Sequence, residues 1–169
     1  EPTFDPNQYQ KADGSHFINP SISFQYEPGS VFKPFTMAAG LDLGKVTPRS
    51  TYEDTGEVRF GKSVIRNSDL KAHGLQTMVQ LLEESLNTGA VYVQRLVGKE
   101  TFARYVHAFG FGEPTGITLP AEEDGDVSSL DKPGEIYAAT ASFGQGIAVT
   151  PLQLVTAYSA LANGGKLMQ

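Results

Sequence analysis

The chain has no cysteine, which excludes disulfides and thiolate metal sites. That absence suits an exported protein that dispenses with disulfides and equally many cytosolic ones. It has no apolar run of about 18 residues or more, so it contains no membrane span, and no signal-like n-region and h-region precedes Glu1. It also has no cluster of lysine and arginine, and with a net charge of −6 it is a poor nucleic-acid surface. His16, His73 and His107 lack metal-like spacing. The acidic run Glu122-Glu123-Asp124-Gly125-Asp126 lacks the alternation of a calcium loop. Gly110-Phe111-Gly112 and Gly144-Gln145-Gly146 do not complete a dinucleotide fingerprint.

What is present is globular. A length of 169 residues with 40% hydrophobic and 19% charged content suffices for one domain with a real core. Eighteen glycines and ten prolines imply many turns between modest elements. Residues 1–29 read as irregular. The spacing predicts a helix from about Ser30 to Leu43, stopped by Gly44 as C′ residue. Val58-Arg59-Phe60 and Ser63-Val64-Ile65 around Gly61-Lys62 predict a small hairpin. A helix over about 75–84 is expected to bury Leu75, Met78, Val79, Leu81 and Leu82. A break at 85–88 precedes a third helix through Val91, Val93, Leu96 and Val97. A fourth, near 99–109, is expected to bury Phe102, Tyr105, Val106 and Phe109. Residues 110–133 read as loop, and a short helix covers 135–142. The last helix starts at a capping box, with Thr150 as N-cap, Pro151 at N1 and Gln153 at N3, and ends at Asn163-Gly164. Helices dominate and strands are few.

The most informative stretch is Ser30-Val31-Phe32-Lys33, which sets a hydroxyl and an amine three residues apart at the start of a helix. Positions i and i+3 share a helix face, so the lysine can take the serine's proton without any histidine. Ser-x-x-Lys occurs three times, at Ser30–Lys33, Ser68–Lys71 and Ser129–Lys132. Only the first opens an apolar helical run. The other two read as loops, which do not hold two groups in register. A free lysine titrates near ~10.4, so a base at neutral pH needs that value lowered. Burial beside Phe32 and Phe35, with the positive potential of the helix N-terminus, supplies two reasons. Ser85-Leu86-Asn87, the only Ser-x-Asn in the chain, falls at a helix–helix junction that can project a hydroxyl and a carboxamide into a cleft. The plainer alternative is that Asn87 or Thr88 caps the next helix.

Ser-x-x-Lys followed by Ser-x-Asn is the pairing found in penicillin-binding proteins and class A β-lactamases. The flanks Phe4-Asp5-Pro6-Asn7, Tyr26-Glu27-Pro28-Gly29-Ser30, Phe32-Lys33-Pro34, Ser142-Phe143-Gly144-Gln145-Gly146, Thr150-Pro151-Leu152-Gln153 and Asn163-Gly164-Gly165 resemble the transpeptidase domain of class B penicillin-binding proteins. That resemblance implies an α/β fold of the penicillin-binding protein and serine β-lactamase type, of which this chain is mainly the α-helical part with a few short strands. It implies a peptidoglycan D,D-transpeptidase acting outside the cytoplasmic membrane through an acyl-enzyme on Ser30. Lys33 would be the base, Ser85 the proton relay and Asn87 the group that holds the substrate amide. Peptidoglycan stem peptides, β-lactam antibiotics and other cell-wall synthesis proteins are the partners the resemblance implies, and it implies no metal or organic cofactor.

The family's Lys-Thr-Gly element is not found in the chain. Residues 1–169 are therefore expected to be a partial transpeptidase domain, truncated at both ends and inactive alone. A serine β-lactamase or D,D-carboxypeptidase, and a non-catalytic homologue or β-lactam sensor, are the alternatives.

Overall fold

The computed structural model describes residues 5–168. Phe4, part of one family-like flank, lies outside them, as do residues 1–3. Seven α-helices are described: α1 (Pro20–Ser23), α2 (Lys33–Asp42), α3 (Met78–Glu83), α4 (Asn87–Val97), α5 (Lys99–Ala108), α6 (Glu135–Ala141) and α7 (Pro151–Ala162). Four short strands accompany them: β1 (Thr51–Asp54), β2 (Glu57–Phe60), β3 (Ser63–Arg66) and β4 (Gly74–Thr77). The expected hairpin is β2–β3, with Val58 opposite Ile65 and Gly61 in the left-handed region at the turn.

Helix α2 is the centre. Its buried residues, Lys33, Phe35, Thr36, Met37, Ala39 and Gly40, face around the helix rather than forming one stripe. Helices α4 and α5 pack against it. Gly40 allows the close approach of α4, since a Cβ there would lie 2.6 Å from Val93 Cγ1. At the other side, Phe32, Phe35, Phe109, Phe111 and Tyr158 interlock with ring centroids 4.9–5.3 Å apart. Such tilted and edge-on aromatic contacts add to the burial of their area. The first turns of α2 thus sit on a rigid apolar bed.

Several expectations are corrected. Residues 5–23 are not irregular: two 3-10 turns and α1 follow one another, with Asp5, Asp13 and Asn19 side chains accepting from the backbone N–H two residues on. Leu75 belongs to β4, which pairs antiparallel with β1 (Glu53 opposite Leu75), and it is 67% exposed. Helix α3 begins only after Thr77, whose hydroxyl and Gln80 form a capping box. Of the residues assigned to its buried side, Met78 and Leu81 are buried while Val79 and Leu82 are exposed. Tyr105 and Phe109 are half-buried rather than buried. Helix α4 starts at Asn87, with the buried Leu86 as N-cap and no side-chain cap of its own. Inside 110–133, Ser128–Asp131 forms a 3-10 turn held by buried Val127 and Leu130. The capping box at Thr150 and Gln153 opens α7 as expected.

Candidate active site

Ser30 stands on a 3-10 turn, Gly29–Phe32, that feeds directly into α2. Pro34 accounts for the tighter winding: it has no N–H to give the Ser30 carbonyl, so the bond closing an α-turn is lost. The Lys33 N–H reaches that carbonyl instead. Side chains three apart eclipse in a 3-10 turn, which lays Lys33 beside Ser30 more directly than the expected α-helix would. Lys33 Nζ is 3.1 Å from Ser30 Oγ, 3.0 Å from Ser85 Oγ and 2.5 Å from the Ser85 carbonyl oxygen.

Lys33 is 2% exposed, while Ser30 is exposed and Ser85 half-buried. The lysine is thus buried beneath a serine that faces solvent. Burial pushes its amine down from 10.5 to about 8. Burial is one of the two causes expected from the sequence. Among the described residues no carboxylate pairs with it, so no ion pair offsets the loss of water.

Ser85 has a φ of +54°, in the left-handed region. It is the C′ residue of a Schellman cap on α3: the Leu86 N–H donates to the Leu81 carbonyl at 2.9 Å and the Ser85 N–H to the Leu82 carbonyl at 3.3 Å. Helix α2 ends in the same two bonds, Lys45 to Gly40 and Gly44 to Leu41, but with glycine at C′. Glycine enters this conformation freely; serine does so at a cost of roughly 1–2 kcal/mol. In return, one residue presents both its hydroxyl and its carbonyl to a single lysine nitrogen.

Asn87, two positions along, is half-buried at the first turn of α4, and its Nδ2 donates to the Arg66 carbonyl at 2.8 Å. The structure therefore gathers Ser30, Lys33 and Ser85 into one hydrogen-bonded group and holds Asn87 beside it on a separate support. Neither Asn87 nor Thr88 is the helix cap. The Thr88 N–H is instead met by Asn67 Oδ1 at 3.2 Å, from the far end of β3. Asn67 belongs with Asp54 and Thr88 to a buried polar cluster that the sequence reading did not pick out. Its one legible signal is Asp54-Thr55-Gly56, an Asx-turn in which the Gly56 N–H donates to Asp54 Oδ1 at 2.9 Å.

The floor of the site comes from the 142–146 segment. The Gly29 N–H donates to the Gly144 carbonyl at 2.9 Å, and the Gly146 N–H to Glu27 Oε1 at 2.8 Å. Gly144 has a φ of +77°, and a Cβ there would lie 2.2 Å from the Gly29 carbonyl oxygen. The other two Ser-x-x-Lys pairs are not assembled. Ser68 and Lys71 occupy a turn and loop around Leu70, itself left-handed at φ 61°. Ser129 lies on a 3-10 turn rather than a loop, yet its buried Oγ has no hydrogen-bond partner among the described residues, and the Lys132 ammonium sits over the Tyr137 ring.

The family model for the penicillin binding protein transpeptidase domain matches residues 1–169. The chain is 41% identical over 168 residues to stage V sporulation protein D of Bacillus subtilis, covering 98% of this chain and 26% of that protein. It is 32% identical over 181 residues to a peptidoglycan D,D-transpeptidase FtsI homolog of Chlorokybus atmophyticus, covering 99% of this chain and 27% of that protein. The solved structure of penicillin binding protein 3 from Mycobacterium tuberculosis in complex with ampicillin superposes with a TM-score of 0.88 at 31% identity, over 96% of this chain and 36% of that one. The chain thus spans about a quarter of the length of the curated relatives it matches. By sequence and by fold alike, it belongs to the penicillin-binding protein transpeptidase domain family.

Proposed function

We propose that this chain is the helical part of a serine D,D-transpeptidase that cross-links peptidoglycan stem peptides on the extracytoplasmic side of a bacterial membrane. In this reading Ser30 is the nucleophile, Lys33 its general base, Ser85 the proton relay and Asn87 the group that holds the substrate amide. The observation that carries it is the buried, unpaired Lys33 amine, held near 8 with three serine oxygens around it.

A neutral amine has two N–H bonds and one lone pair. The carbonyl and hydroxyl oxygens of Ser85 take the two N–H bonds, which leaves the lone pair for the Ser30 hydroxyl to donate into. At pH 7 an amine titrating near 8 is neutral in roughly one molecule in ten, against fewer than about one in a thousand for a free lysine. Proton transfer of this kind contributes roughly 10²–10⁴ in rate.

The chemistry then runs in two halves. Ser30 Oγ attacks the carbonyl carbon of the donor's D-Ala–D-Ala bond while its proton passes to Lys33 Nζ. The Ser30 N–H donates to the developing oxyanion. The C–N bond breaks as the leaving D-Ala nitrogen takes a proton through Ser85, giving an ester on Ser30. An amine of a second stem peptide attacks that ester, yields its proton to Lys33, and Ser30 regains its hydrogen. The name of the Chlorokybus relative and the ampicillin complex of the Mycobacterium protein support the reading, and by similarity a β-lactam would acylate Ser30. Glu83, the last residue of α3, and Glu84, its C-cap, are both exposed and lend no support to a water-activating hydrolase. Because the chain spans only part of its relatives, activity, and any association with other cell-wall synthesis proteins, is assigned to the complete protein.

The test is mass spectrometry of the full-length protein after penicillin treatment. A single adduct on the peptide containing Ser30, absent from Ser30→Ala, is expected. An adduct on Ser68 or Ser129, or none at all, overturns the assignment.

A further inference from the structure

We propose that the buried cluster of Asp54, Asn67 and Thr88 is a positioning device that sets the Asn87 carboxamide for its substrate, a role that rests on the catalytic reading above. Its three members come from β1, from the residue after β3 and from the first turn of α4, and are 1%, 2% and 4% exposed. Asp54 accepts four hydrogen bonds. Oδ1 takes the Thr88 hydroxyl at 2.7 Å and the Gly56 N–H at 2.9 Å, and Oδ2 takes Asn67 Nδ2 at 2.8 Å and the His73 N–H at 3.1 Å. Asn67 is thereby oriented with its Oδ1 toward the Thr88 N–H.

The need for such a device follows from the sequence of the corner. The first N–H groups of a helix have no partner within it, and a Ser, Thr, Asp or Asn at the N-cap normally supplies one. At α4 that position is Leu86, buried to 1% exposure as a packing anchor, so it offers no oxygen. Asn67 supplies the missing cap from a distant strand end. The same strand end supplies the Arg66 carbonyl that accepts from Asn87 Nδ2. Backbone and side chain of the 87–88 turn are thus both fixed to residues 66–67, and Asp54 fixes residues 66–67 in turn. A buried network satisfied at every member is rigid, and removing one partner strands the others without water.

The cluster is buried away from any substrate's reach, so its effect must travel through Asn87. A misplacement of about 1 Å in a positioning group costs up to about 100-fold in rate. The experiment measures the second-order rate of Ser30 acylation by a fluorescent penicillin in the full-length protein, together with thermal unfolding. Thr88→Val keeps the shape and removes the hydroxyl; Thr88→Ser retains it; Asp54→Asn breaks part of the network from the other side. Thr88→Val and Asp54→Asn are expected to slow acylation about 10- to 100-fold, and Thr88→Ser to stay within about threefold of the unaltered protein.

The discriminating arm places Thr88→Val and Asp54→Asn in an Asn87→Ala background. If the cluster acts through Asn87, each then slows the reaction by less than about threefold further, whereas general destabilisation would add in full. Full additivity, or acylation at the unaltered rate in Thr88→Val while Asn87→Ala is slow, overturns the positioning role and leaves the catalytic reading intact. Failure of the unaltered protein to label at Ser30 overturns both. Should Asp54→Asn not fold, Thr88→Val and its Asn87→Ala partner decide the matter alone.

Discussion

Replacing Ser85 by glycine and by alanine should reverse the usual order of the two residues. At an ordinary position glycine is less stable than alanine by roughly 0.5–1 kcal/mol, because the unfolded chain gains freedom. Ser85, however, occupies the left-handed C′ position of α3 at φ +54°. A Cβ there costs roughly 1–2 kcal/mol, a strain that alanine keeps and glycine removes. Both variants lose the Oγ bond to Lys33 Nζ equally, and both keep the carbonyl bond. Subtracting the entropic term from the strain leaves Ser85→Gly more stable than Ser85→Ala by up to about 1.5 kcal/mol. For a protein of this size that is up to about 6 °C in unfolding midpoint. Fluorescent-penicillin labelling of the same preparations should be severely slowed in both, because the relay hydroxyl is gone. A glycine variant less stable than alanine would refute the strain, and a glycine variant that acylates normally would refute the relay.

The depressed amine of Lys33 gives a pH signature. Acylation should rise about tenfold per pH unit below pH 8 and level off above it, as the neutral fraction does. A flat profile between pH 6 and 8 contradicts Lys33 as base. The stability sign runs the other way from a salt-bridged lysine. The folded pKa lies below the unfolded one, so the cost of burying charge is present below about 8 and is relieved as pH rises toward 10.5. Replacing Lys33 by methionine should flatten that dependence in pH-resolved unfolding measurements and abolish labelling. Gly144→Ala should destabilise by roughly 1–3 kcal/mol and slow labelling as well, because the new methyl would meet the Gly29 carbonyl oxygen beneath Ser30. Unchanged stability in that variant would show that the 142–146 segment yields easily.

Much of this was legible in the chain itself, for reasons that are local. A capping box such as Thr150 to Gln153, a glycine at C′ such as Gly44, and the two-residue turn at Gly61-Lys62 each settle an element within a few residues of backbone. Ser30 and Lys33 are only three residues apart, so their proximity followed from almost any helical winding. Even the tighter turn that aligns them was written in Pro34, whose missing N–H is a covalent fact. Thr77-Met78-Val79-Gln80 was an equally local capping signal and would have placed the start of α3 correctly.

The remainder is decided by contacts between segments far apart in sequence. Strands β1 and β4 are four residues each and twenty residues apart; only their pairing makes either one a strand, and it turns Leu75 outward. The burial that lowers Lys33 comes with the packing of α2 against α4 and α5 and with the approach of Ser85 from 52 residues away, not from its neighbours in sequence alone. The left-handed turn at Ser85 and the Asp54–Asn67–Thr88 network likewise belong to no single segment. The sequence by itself determined which hydroxyl and which amine would meet. Tertiary packing decided that the amine is dry enough to act as a base and that a strained serine faces it, because water exclusion and backbone strain are properties of the assembled fold.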